Sequence, residues 1–126
     1  MPKRLVFVWD DPKVRRNMAD VMERRNFAPA NCSQYVMFVQ PQYRHKQDNE
    51  VLVFGTAITP ASIDKIRKLR ETETLKYIAV NIEDIPQEVF HAWSTALLDQ
   101  FPDLKFFDPK VGGNVFEALR SEVSHA

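Results

Sequence analysis

Leu5-Val6-Phe7-Val8-Trp9 is an unbroken apolar run of β-branched and aromatic side chains, stopped by Asp10-Asp11-Pro12. A strand that is apolar on both sides must be covered on both faces, as a central parallel strand is. Pro12 sits where a first helical turn tolerates a missing N–H. Beyond it Val14, Met18, Val21 and Met22 recur at helical spacing, with Phe27 closing the stripe. On the polar side Arg16 precedes Asp20, and Asp20 precedes Arg24, at the i,i+4 separation that lets opposite charges pair.

The same alternation runs to the end of the chain. Residues 35–39 predict a second strand, stopped by Pro41, and the polar stretch 40–50 predicts a surface loop or a short irregular helix. Residues 51–54 predict a third strand ended by Gly55. Thr59 caps and Pro60 opens a helix along Ile63, Ile66 and Leu69. Residues 75–82 predict a fourth strand. Asp84 and Gln87 have capping-box spacing ahead of Val89, Phe90, Trp93, Leu97 and Leu98, the strongest apolar stripe in the chain. Residues 104–107 predict a fifth strand, and Asn114 with Glu117 form a capping pair before Val115, Phe116, Leu119 and Val123.

Strands that alternate with helices imply an α/β fold with a mainly parallel sheet, since parallel crossovers lay helices on its faces. Right-handed crossovers then give a three-layer αβα sandwich of five strands, in one domain spanning residues 1–126. The weak joint is the pair 35–39 and 51–54. Without a clear helix between them they could also pair as an antiparallel hairpin.

Composition removes several classes. An apolar fraction of 44% and a charged fraction of 27% are those of a globular protein, and 17 basic residues balance 17 acidic ones. No apolar run reaches the ~20 residues of a bilayer span, and the amino terminus lacks a signal peptide's pattern. No membrane partner and a cytoplasmic location are therefore expected. Cys32 stands alone, which excludes an intrachain disulfide and a cysteine-based metal site. His45, His91 and His125 lack ligand spacing, and no serine has a G-x-S-x-G context. Neither a G-x-G-x-x-G nor a P-loop occurs. No catalytic residue and no metal ligand set can be named on these grounds.

In parallel sheets a site forms beyond the carboxyl ends of the strands. That edge is expected to gather Asp10, Asp11, Gly55, Thr56, Asn81, Asp108, Lys110, Gly112 and Gly113, including all 3 glycines of the chain. The glycines suit tight turns, and equally the close approach of a bound anion. The run Val8-Trp9-Asp10-Asp11-Pro12-Lys13-Val14-Arg15 resembles the first strand and acidic turn of response-regulator receiver domains. Chain length and the order of strand ends also look receiver-like, so the resemblance implies a flavodoxin- or receiver-like sheet and Mg²⁺ held by Asp10 and Asp11. It breaks where phosphorylation would occur. Gly55 and Thr56 stand in place of the acceptor Asp, Asn81 near the switch Thr or Ser, and Lys110 after Pro109 where the family has Lys before Pro. What remains resembles a degenerate receiver that cannot be phosphorylated.

The functional expectation is a non-catalytic regulatory module that meets another protein, with a homodimer as one form of that contact. Residues 1–70 hold thirteen basic and seven acidic side chains, and residues 71–126 hold four and ten. This polarity suggests opposite charged faces or a complementary partner. The runner-up is binding of nucleic acid through a basic patch of Arg15, Arg16, Arg24, Arg25, Arg44 and Lys46, or of a nucleotide or phosphate at the edge formed by Asp10, Asp11, Lys110 and the Gly112-Gly113 turn. Lys65, Arg67, Lys68 and Arg70 could extend the basic patch if the first two helices share a face. Tyr43 and Trp93 are the aromatic residues that could anchor a protein contact.

Overall fold

A computed structural model describes residues 4–24, 36–42, 50–111 and 113–124. The described elements are β1 (Arg4–Trp9), α1 (Pro12–Arg24), β2 (Val36–Val39), β3 (Glu50–Gly55), α2 (Pro60–Thr72), β4 (Leu75–Ala79), α3 (Gln87–Leu98), β5 (Lys105–Phe107) and α4 (Asn114–Ser124). The five strands form one sheet in the order β2-β1-β3-β4-β5, and every neighbouring pair is parallel. This is the flavodoxin-like, doubly wound order. The hairpin alternative fails because β1 lies between β2 and β3, pairing Leu5 with Val36 on one side and Val51 on the other.

Strand pleat and crossover hand together build the three layers. Leu5, Phe7, Val51, Val53, Tyr77, Ala79 and Phe107 face α1 and α4, whose Val14, Met18, Val21 and Leu119 complete one core. Val6, Val8, Leu52, Phe54, Ile78 and Val80 face α2 and α3, meeting Ile66, Trp93 and Leu97 in the other. The chain steps from β1 to β2 in one direction and from β3 through β5 in the other. With a fixed right-handed crossover, opposite steps put their helices on opposite faces. The fourth strand's loose alternation has a local cause. Pairing with β3 skips from Leu75 to Tyr77, so Lys76 is an extra residue that projects to solvent.

Three local expectations need correction. Residues 80–82 leave the strand, and Ile82–Asp84 forms a 3₁₀ turn. The helix after it opens behind Pro86 without a side-chain cap, so Asp84 and Gln87 make no capping box. No ion pair joins Arg16 to Asp20 or Asp20 to Arg24; the salt bridges of the described residues lie elsewhere. By contrast, Thr59 and Ser62 close a reciprocal capping box at α2, with Pro60 in its first turn.

Candidate functional site

The carboxyl edge of the sheet is assembled from five strand ends. The Asp10 N–H donates to Gly55 O at 3.0 Å, the Thr56 N–H to Ala79 O at 3.1 Å, and the Val80 N–H to Phe107 O at 3.0 Å. These bonds continue the parallel ladder one residue past the strands and tie neighbouring strand ends to one another. Gly55 serves packing here. A Cβ built on it would lie 2.5 and 2.8 Å from Phe7 ring atoms, so no other residue lets the Phe7 side chain lie across β3. Gly113, with φ +87°, makes the turn into α4 and has no neighbour within 4 Å of an added Cβ. Gly112 lies outside the described residues.

Each acidic group at the edge already has a task. Asp11 caps α1, its Oδ1 accepting from the Lys13 N–H at 2.9 Å and its carbonyl from the Arg15 N–H at 3.1 Å. Asp10 Oδ2 accepts from Lys65 Nζ at 2.7 Å. Asp108 is 4% exposed, and its two oxygens accept from the Glu83 and Lys110 N–H groups at 3.0 and 2.9 Å. It thereby locks the 3₁₀ turn to the loop after β5. Asp84 is clamped between Lys13 Nζ at 2.9 Å and Lys110 Nζ at 3.4 Å, and these lysines, Lys13 first, hold its carboxyl below the usual 3.8. Asn81 Oδ1 accepts from Asn17 Nδ2 at 2.9 Å, tying β4 to α1. Thr56 is 1% exposed, and its hydroxyl donates to Ala57 O at 3.3 Å.

The edge therefore collects the predicted Asp10, Asp11, Thr56, Asn81, Asp108 and Lys110, and adds three residues that sequence reasoning missed. Lys13, Lys65 and Asp84 complete the charge pairing across α1, α2 and the 3₁₀ turn. Lys65 carries no motif; only the packing of α2 behind β1 and β3 brings it to Asp10. For a dication the fit is poor. Mg²⁺ takes about six oxygen ligands and keeps several waters. Here Lys65 would have to leave Asp10, Asp11 would have to share its cap, and β3 ends in Gly55-Thr56 with no third carboxylate. Among the described residues no three metal-ligating side chains cluster.

The basic candidates divide. Arg15 and Arg16 flank a notch of about 440 Å³ lined also by Trp9, Pro12, Phe38 and Gln40. The Arg15 guanidinium lies 5.5 Å from the Trp9 ring centre and 5.0 Å from that of Phe38. Arg24 is exposed at the last turn of α1, while Arg25, Arg44 and Lys46 lie outside the described residues, as do Tyr43, Cys32, His45 and His125. α1 and α2 do not share a face, so Lys65, Arg67, Lys68 and Arg70 cannot join the α1 arginines in one patch. Each face instead pairs a helix from the basic half with one from the acidic half. Part of the polarity is used within the chain, where Arg70 meets Asp103 at 2.9 Å.

Trp93 is core, 5% exposed, with its indole N–H shared between Thr59 O at 3.0 Å and Ser62 Oγ at 2.9 Å. Beside it an apolar groove of about 470 Å³ runs between α2 and α3, lined by Ile58, Pro60, Ile63, Val89 and Ala92 with Glu88 at its rim. Val89 is 45% exposed there.

No protein-family model matches this chain, and no curated protein does. Among solved structures it is similar to a de novo designed Rossmann 2x3 fold protein determined by solution NMR. The match covers 100% of this chain and 97% of that one, with 13% identity and a TM-score of 0.50. At that identity the likeness concerns the fold alone, and it agrees with the α/β sandwich described above. The resemblance to receivers finds support only at the level of a flavodoxin-like α/β fold. No helix among the described residues is long and apolar enough to cross a membrane.

Proposed function

We propose that the protein is a non-catalytic, pseudo-receiver-type binding module whose partner is another protein. The observation that carries this reading is the use of the strand-end carboxylates. Asp10 and Asp84 are neutralised by lysines, Asp11 caps a helix, and Asp108 holds two loops together. Catalysis asks for a nucleophile beside a base, or a cation on free carboxylates, and such groups would first have to be released from structural tasks. The apolar lining beside Val89 is the chemistry of a protein contact, because such surface gains most from being covered by apolar side chains.

Two measurements test the reading on the full chain. Incubation with acetyl phosphate and Mg²⁺ is expected to leave the intact mass unchanged; a phosphoryl adduct that Asp10→Ala abolishes overturns it. Affinity capture is expected to recover a protein whose retention drops on Val89→Lys. Retention indifferent to that substitution removes the α2–α3 groove from the contact.

A further inference from the structure

Peptide dipoles leave positive charge at a helix's amino-terminal end, so acids there are stabilising and bases are not. α1 follows that rule only at its cap, Asp11. Its first turn holds no acid, and Lys13, Arg15 and Arg16 follow close to the positive end. Lys13 is answered by Asp84, whereas no acidic side chain among the described residues pairs with Arg15 or Arg16. Arg15 is held by the Trp9 and Phe38 rings instead, and the Phe38 ring is braced edge-on against Phe7, centroids 5.5 Å apart. A guanidinium stacked in this way loses much of its rotamer freedom in advance, yet leaves a fork of N–H groups for an oxyanion.

We propose that this notch binds the phosphate of a nucleoside phosphate, with Arg15 and Arg16 on the oxyanion and the planar base beside Pro12 and the aromatic edges. The volume favours more than a bare anion. About 440 Å³ falls within the range of small-molecule sites, roughly 300–1,000 Å³, and a lone phosphate would leave most of it to water. Gln40 supplies an amide that can both donate and accept at the same wall. The carboxylate that opposes binding is Asp11, one residue before Pro12, and its engagement in the helix cap blunts its charge only in part. The site is separate from the Asp10–Lys65 contact, so it stands or falls independently of the proposed protein-binding role.

Calorimetric titration of the full chain with ADP tests the assignment, with inorganic pyrophosphate, adenosine and a single-stranded oligonucleotide as parallel probes. ADP is expected to bind measurably and more tightly than pyrophosphate or adenosine. Arg15→Gln and Arg16→Glu should each weaken it by roughly tenfold or more, as loss of a charge-assisted contact does. Asp11→Asn, which keeps a capping side chain and removes the charge, should tighten it by a few-fold, about the effect of one nearby screened charge. Asp10→Ala should leave it unchanged. Arg16 is exposed, so a melting profile for Arg16→Glu no less stable than the native one separates lost binding from lost structure. Undetectable ADP binding, affinity indifferent to both arginine substitutions, equal affinity for pyrophosphate, or a marked preference for the oligonucleotide would each overturn the proposal.

Discussion

Tyr77 shows how burial turns an ordinary side chain into a pH-dependent one. Its phenol donates to Glu122 across the β4–α4 interface. Burial first, and the Glu122 contact second, push its pKa well above the ordinary 10.0. A raised folded pKa contributes stability that is complete below the unfolded value and is lost as pH climbs through the folded one. The alkaline limb of a denaturation profile above pH 10 should therefore flatten in Tyr77→Phe, at a cost of about 1 kcal/mol near neutrality. An unchanged alkaline limb would show that Tyr77 does not govern it. Gly55 makes the complementary point about volume. Gly55→Ala forces its methyl into the Phe7 ring from within a fully buried strand, and should destabilise by about 1–3 kcal/mol in urea denaturation.

At the scale of elements, α2 is specified twice, once by its own cap and once by its neighbour. Thr59→Ala removes half of the capping box and should cost about 1 kcal/mol. Ser62→Ala should cost more, about 1–3 kcal/mol, because Ser62 Oγ also accepts the buried Trp93 indole N–H. Equal losses in the two variants would mean that the indole bond carries nothing. For α1 the expectation has the opposite sign. Arg16→Glu puts an acid near a positive helix end and should stabilise the ligand-free protein by roughly 0.3–1 kcal/mol, read as a raised Tm. A raised Tm in Arg16→Glu would mark an arginine kept at the expense of stability.

For the whole molecule, charge sorts by position in space and not by position in the chain. Asp84 lies among Lys13 and Lys110, and Asp103 beside Arg70, and these partners hold both carboxyls below 3.8. Depressed folded values contribute stability above the unfolded pKa and lose it as pH falls through the folded one. The acid limb below about pH 4 should thus be shallower in the double variant Asp84→Asn, Asp103→Asn, followed by circular dichroism. Both groups are exposed, so the effect should shrink in high salt. An acid limb as steep as the native one would place the pH dependence elsewhere.

Local order was legible wherever one residue's neighbours in sequence determine its state. The apolar run ending at Trp9, the Thr59-Pro60 helix start and the strand-helix alternation each follow from pleat, capping and period, and together they specified an α/β sandwich. Sequence also pointed to the carboxyl edge, because parallel strands all end on one side. It could not say which groups meet there. Asp84 looked like a helix cap and is a lysine clamp, Lys65 looked like an extension of the basic patch and holds Asp10, and the charged halves of the chain looked like charged faces. Those outcomes depend on crossover direction, which sends α1 and α2 to opposite faces, and on long side chains meeting across gaps of dozens of residues. Periodicity registers which way a side chain points from its own element; only the packed sheet decides what stands opposite.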